Sequence, residues 1–166
     1  MDDLELVTQQ LGRAPRAFLR VAARCPWGAP AVTEQMPYGP EGEPFPTTYY
    51  LTCRHLVAAV SRLESAGGVE RWSDALAASP ELRASLREVT AEQAKLRRSL
   101  AGGRVGSDDG ASLGTGIGGS RNPEQLKCLH AHVAYALARP GHRLGEVVLD
   151  ELPERWPARC CIASPR

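Results

Sequence analysis

The sequence predicts an α+β fold that is predominantly helical, and three observations carry that prediction. Apolar residues recur at helical spacing through most of the chain, while one stretch near residues 31–52 is rich in β-branched and aromatic side chains. Cap, proline and glycine signals then divide the helical stretches into short units. The expected architecture is a small two-stranded antiparallel hairpin packed on a helical body, with a central buried helix over about residues 122–139. With 166 residues, the chain 1–166 reads as one domain carrying a mobile Gly-rich loop at 101–121.

The first helix is expected from Asp2 to Leu11, with Leu4, Val7 and Leu11 on one face, Asp2 and Asp3 at its positive end and Gly12 as its stop. Pro15 suits a first helical position, so a second helix is expected to about Arg24. Arg16, Arg20 and Arg24 would share its outer face as a stripe for an anion or an acidic partner. Ala31 to Met36 and Thr47 to Thr52 are the expected strands, and antiparallel pairing brings Cys25 and Cys53 to one end of the hairpin. Arg54 to Ala66 reads as a helix ended by Gly67-Gly68, which places Cys53 at a helix N-terminus, where free backbone N–H groups favour a thiolate. After a short helix over Val69 to Ala77, Ser79-Pro80-Glu81 opens a long one with Gln93 interrupting its apolar seam.

Half of the 16 glycines lie between Ala101 and Arg121. "GTGIGG", residues 114–119, satisfies G-x-G-x-x-G, but "GSDDGASL" before it is no buried strand and no Walker lysine follows, so no nucleotide is expected. Arg121 with the loop amides remains a candidate anion contact. Asn122-Pro123-Glu124-Gln125 is a helix start, and the central helix should run to about Arg139, before Pro140-Gly141.

Hydrophobic residues at 43% and charged residues at 23% describe a globular protein, and a net charge of +1 gives no long-range pull on nucleic acid or anionic membrane. No apolar run reaches the roughly 18 residues of a membrane helix, and the acidic start is unlike a signal peptide. The expected compartment is therefore the cytoplasm, where thiols stay reduced and clustered cysteines serve as ligands or nucleophiles.

That expectation falls on "KCLHAH", residues 127–132. On a continuous helix Cys128 and His132 project together, with Tyr135 one turn further. Cys25, Cys53 and Cys128, completed by Cys160 or His132, are the candidate ligands of a tetrahedral zinc ion, structural rather than catalytic, with the Cys160-Cys161 tail folding back as a lid. An iron–sulfur cluster is the alternative cofactor. His130, His55 and Tyr135 would hold the ligands or act as a base. Two competing readings are a metal-free thiol enzyme with Cys53 as nucleophile, and a non-enzymatic adaptor that docks an acidic protein partner through the arginine stripe.

"RCPWGAPAV", "PFPTTYYLTC", "RLESAGG", "GIGG" and "KCLHAHVAYALA", in this order, resemble the actinobacterial family named domain of unknown function 501. The resemblance implies a small cytoplasmic bacterial protein whose characteristic positions match Cys25, Cys53, Cys128, His130 and His132. It also implies a gene placed beside a septum-formation protein and an exopolyphosphatase, an association with cell division or phosphate physiology. Members tend to carry histidine and tyrosine in the long helix, where this chain has Ala91 to Leu96, a departure that weakens a catalytic role for that helix.

Overall fold

The computed structural model describes residues 1–163. Helix α1 (Asp3–Leu11) begins with a reciprocal cap, in which the Asp2 carboxylate accepts the Glu5 N–H and the Glu5 carboxylate accepts the Asp2 N–H. Three strands follow, β1 (Phe18–Arg24), β2 (Pro30–Gln35) and β3 (Tyr49–Leu51), paired antiparallel in the order β1-β2-β3. Val32 faces Leu51 and Glu34 faces Tyr49, so the expected hairpin is present.

The sheet has a third strand because the segment read as a second helix is β1. All six residues of β2 are buried, and a buried strand needs ladder partners on both edges. β1 supplies the second edge. Its pairing with β2 slips between Phe18 and Arg20 and again between Val21 and Ala23, which breaks the alternation that marks a strand in sequence. The arginine stripe dissolves with the helix: Arg20 pairs with the buried Glu34, Arg24 pairs with Asp3 of α1, and Arg16 lies exposed ahead of β1.

Helices α2 (Arg54–Ser65), α3 (Gly68–Ala78) and α4 (Pro80–Ala101) form the body. Ser79 caps α4 by accepting the Leu82 N–H, and Pro80 occupies its first turn. Two further helices are α5 (His130–Ala138) and α6 (Arg143–Glu151). The central helix is thus shorter than expected. Asn122 makes only a local turn, accepting from Glu124 and Gln125, and the Leu129 N–H, which a longer helix would use internally, goes to the Glu64 carboxylate of α2 at 2.6 Å. A charged acceptor outcompetes a backbone carbonyl at that point. Every residue from Ala131 to Tyr135 is nonetheless buried, so α5 remains central, packed on β3 and α6.

The stretch 101–121, expected as a mobile hinge, carries two short 3-10 turns and is tied to its surroundings. Arg97 of α4, fully buried, donates to the carbonyls of Ser112 and Phe45 and to the Thr48 hydroxyl, and Gln93 donates to the Thr115 carbonyl. Asp108 accepts from the Tyr38 hydroxyl and from the Gly110 and Ser112 N–H groups. Burial opposes its ionisation, but hydrogen bonds from Ser112, Tyr38 and Gly110 outweigh burial and hold the carboxyl down at about 2.

Helix α6 crosses α5 at Gly145, where an added Cβ would stand 2.2 Å from the His132 carbonyl oxygen and 2.7 Å from the Ala136 Cβ. Gly145→Ala should therefore force the two helices apart and destabilise the protein by about 2 kcal/mol or more. Gly114→Ala, with open space around the position, should shift stability by less than about 0.5 kcal/mol. Urea unfolding of both variants tests the pair, and equal effects would contradict the close crossing.

Candidate functional site

A cavity of about 520 Å³ opens where α1 ends, β3 passes, and α2 and α5 begin. Its walls mix apolar groups, among them Leu11, Leu51, Val57 and Ala131, with the polar residues Gln10, Thr47, Thr52, Cys128 and His130. That size and lining fall in the range of small-molecule sites.

Two of the polar residues each hold a buried side-chain atom without a partner. Gln10 turns its amide N–H toward the Pro30 carbonyl at 2.7 Å, leaving its carbonyl oxygen buried with no donor, and the buried Thr52 hydroxyl has no partner at all. Each such group costs about 1–3 kcal/mol. Arg54, also on the wall, is engaged: its guanidinium donates to the Gln9 and Gln10 carbonyls at the C-terminal end of α1.

Cys128 and His130 stand at the start of α5, on the opposite side of this cavity from α1. The Cys128 sulfur accepts from the Ala131 and His130 N–H groups, in the manner of a helix cap. Burial pushes the thiol up, the Glu64 carboxylate adds to the rise, and the two N–H groups counter it. Gly118, at φ 71°, lies against this corner: a Cβ there would meet the Ala131 Cβ at 3.0 Å and the Cys128 sulfur at 3.5 Å. The glycine motif serves here to bring a loop close to the thiol.

His130 Nδ1 lies 3.0 Å from a Glu64 carboxylate oxygen, and Nε2 lies 3.3 Å from both the Ser61 hydroxyl and the Val57 carbonyl. An imidazole that gives Nδ1–H to Glu64 keeps a lone pair on Nε2, the arrangement of an oriented base. Ser61, one turn along α2, has the connectivity of a serine nucleophile, but mid-helix N–H groups are consumed by the helix and none is left to hold an oxyanion. Cys128, at the head of α5 on the cavity wall, is the better-placed nucleophile.

His132 and His142 lie deeper. Nδ1 of His132 is 2.9 Å from Nε2 of His142, both rings are buried, and the remaining nitrogens, His132 Nε2 and His142 Nδ1, have no partner. Two neutral rings carry two protons on four nitrogens. Whichever ring donates across the pair, one buried N–H is left without an acceptor. Tyr135 lies edge-on to His142, and its hydroxyl donates to Glu92 at 2.5 Å.

The sulfurs form a third group. Cys53, the N-cap residue of α2 as expected, has its sulfur 3.7 Å from that of Cys161, because the tail folds back over α2. The His55 and Arg54 N–H groups lie beside the Cys161 sulfur and favour its thiolate, while Cys53 makes no side-chain capping hydrogen bond at the head of α2. The pair shares one proton: the Cys53 thiol donates to Cys161, which brings Cys161 down to about 5, helped by the neighbouring N–H groups and the Arg54 charge, and pushes Cys53 up. Cys160 neighbours Cys25 in the same way, with burial first and Cys25 next raising its thiol. His55 donates Nε2–H to the Glu154 carbonyl, which anchors the tail.

The donor set expected from the sequence, Cys25, Cys53, Cys128, His132 and Cys160, is therefore distributed over three places. Cys128 lies on the cavity, His132 pairs with His142, and Cys25 and Cys53 each meet a tail cysteine. Among the described residues no three His, Cys, Asp or Glu side chains are grouped so as to share an ion. Cys128 and His132 part company because α5 starts only at His130, so their four-residue spacing is not helical. His130, Gln10 and Thr52 line the cavity and Glu64 holds the His130 ring; of these the sequence marks only His130, since a glutamate 66 residues upstream and two lone polar residues have no local pattern. Arg121 is exposed, and no described helix is long and apolar enough to cross a membrane.

Fold and site together define a small α+β protein with a thiol–imidazole cavity and a second, sulfur-rich centre at the head of α2. The family model described as "Protein of unknown function (DUF501)" matches residues 21–150, and the chain belongs to that family. The match spans β1 to α6 and includes Cys25, Cys53, Cys128, His130 and His132. No curated protein and no solved structure matches the chain.

The histidine pair sets an acid dependence of stability. Burial holds His142 down at about 4, and burial together with its proximity to His142 holds His132 well below 6.5. Both are neutral in the fold and protonate in the unfolded chain below about 6.5, so the unfolded state binds more protons in this window. Stability is complete above pH 6.5 and falls as pH drops toward 4, with His142 alone contributing about 3 kcal/mol. Urea midpoints across this range should show the fall, and His142→Leu, though less stable at neutral pH, should flatten it. An unchanged slope in the variant would contradict the assignment.

Proposed function

We propose that this protein binds a small uncharged molecule in the cavity between α1, β3, α2 and α5, with the bound molecule lying against the Cys128 thiol and the His130–Glu64 pair. The observation that carries this reading is a cavity of about 520 Å³ whose lining residues Gln10 and Thr52 each keep a buried polar atom without a partner. A ligand that shifts these side chains on entering would give the Gln10 carbonyl a donor and the Thr52 hydroxyl a partner. The apolar wall of Leu11, Leu51, Val57 and Ala131 receives the remainder. Arg54, the one wall cation, is already held by the end of α1, which favours an uncharged ligand over an anion.

Cys128 supplies a soft nucleophile and His130 a base on the same wall. Chemistry on the ligand would be addition of the Cys128 sulfur to a carbonyl carbon: the sulfur–carbon bond forms as the carbonyl π bond breaks, its electron pair moves to oxygen, and the thiol proton passes to a base such as His130.

A ligand-observed NMR screen with a library of neutral amides and alcohols tests the reading. Binders should protect Cys128 from iodoacetamide and raise the thermal midpoint. Thr52→Val, which deletes only the unpartnered hydroxyl, should leave stability within about 1 kcal/mol of the parent and weaken binding about tenfold. A library without binders, or binders indifferent to Thr52→Val and to Cys128 alkylation, would sink the proposal.

A further inference from the structure

The tail places one sulfur where a second is waiting. Cys161 and Cys53 are 108 residues apart in sequence and 3.7 Å apart at the sulfurs, at the N-terminal end of α2, with the Arg54 and His55 N–H groups beside the Cys161 sulfur. A disulfide bond of about 2.05 Å requires only a modest closure from that distance. The two thiols are unequal in access, since Cys53 is fully buried and Cys161 is partly exposed. A reagent from solution meets Cys161 first.

We propose that Cys161 and Cys53 form a hydroperoxide-reactive dithiol, in which Cys161 is the attacking sulfur and Cys53 the resolving one. In the first step the Cys161 thiolate attacks the distal oxygen of a hydroperoxide. The sulfur–oxygen bond forms, the oxygen–oxygen bond breaks, and the departing alkoxide leaves as the alcohol after taking up a proton. In the second step the Cys53 sulfur attacks the Cys161 sulfenic acid, forming the sulfur–sulfur bond while hydroxide departs as water with the Cys53 proton. Two thiols and one hydroperoxide become one disulfide, one alcohol and one water.

The surroundings fit this sequence of steps. Helix-terminal N–H groups and the Arg54 charge sustain the attacking thiolate, and a resolving thiol within reach is what separates a reversible redox cysteine from one that is over-oxidised. The second pair, Cys25 and Cys160, adjoins the first through the Cys160-Cys161 peptide, and Cys160 has no comparable set of N–H groups. It is therefore the slower pair. Oxidation fastens the tail to the head of α2, whereas reduction leaves it held by contacts such as the His55–Glu154 bond.

The test uses the reduced full-length chain titrated with hydrogen peroxide and, separately, cumene hydroperoxide. One equivalent should lower the intact mass by about 2 Da, and peptide mapping should find Cys53 joined to Cys161. Cys53→Ser should stop at the Cys161 sulfenic acid, trapped by dimedone, while Cys161→Ser should slow peroxide consumption at least about tenfold. Iodoacetamide at pH 6 should label Cys161 at least about tenfold faster than Cys128 in the parent chain. Three results would overturn the proposal: no mass change at tenfold excess peroxide, a Cys25–Cys160 link formed in its place, or purified protein that retains stoichiometric zinc and loses it only as these thiols become reactive. The parent-chain measurements stand even where a variant misfolds, and none depends on occupancy of the cavity.

Discussion

The buried guanidinium of Arg97 is the constraint on which the cavity depends. It has no carboxylate in direct contact; its partners are two carbonyls and a hydroxyl, and burial lowers its ordinarily very high proton affinity. A charge in such a place is tolerable only when its hydrogens are taken up, and here the acceptors come from two irregular segments. Phe45 and Thr48 precede β3, and Ser112 belongs to the glycine-rich stretch. Together with Gln93 and Thr115, this fixes both loops to one face of α4. Thr47 on the cavity wall and Gly118 beside Cys128 belong to these same two segments. An apolar α4 would pack as well, but would not set loop position to within a hydrogen bond.

Three sulfurs sit at helix N-termini, and their different protonation shows how little the helix alone decides. Cys128 at α5 and Cys53 and Cys161 at α2 all lie beside backbone N–H groups. Cys128 is nevertheless raised, because burial and the Glu64 carboxylate outweigh two N–H bonds. Cys161 is lowered because the neighbouring Cys53 thiol donates a hydrogen bond to its thiolate and Arg54 adds positive charge. Burial thus favours the protonated form of the thiol beside the cavity, while the neighbouring thiol and Arg54 favour the thiolate of the one in the tail. The same local element accommodates shifts in opposite directions.

The parts legible in the sequence were those with local signals. Ser79-Pro80 announced α4, Gly12 ended α1, and Cys53 was placed at the head of α2, all by cap chemistry confined to a few residues. Strand β1 was misread because its leucine, alanines and arginines favour helix and its bulges erase alternation; what makes it a strand is the open edge of β2, which no local pattern records. The central helix was drawn too long because Glu64 removes the Leu129 N–H from it across 65 residues. The longer helix would have projected Cys128 and His132 together, whereas the shorter one leaves Cys128 ahead of α5 and His132 paired with His142. Helix α6 has no counterpart in the sequence reading, although Leu144, Val148 and Leu149 carry helical spacing, because His142 ahead of it makes no side-chain capping bond and no start signal marks it.

The two centres share three consecutive residues. Thr52 and Arg54 line the cavity, and Cys53 between them carries one sulfur of the tail pair. Its backbone N–H bonds the Ala31 carbonyl of β2, and the next two N–H groups along α2 face the Cys161 sulfur. Thr52, whose hydroxyl lacks a partner, precedes Cys53, and Arg54, which fastens the end of α1 beside Gln10, follows it. The cavity wall and the sulfur pair are therefore joined by consecutive peptide bonds, and the conformation of this one junction sets the position of both.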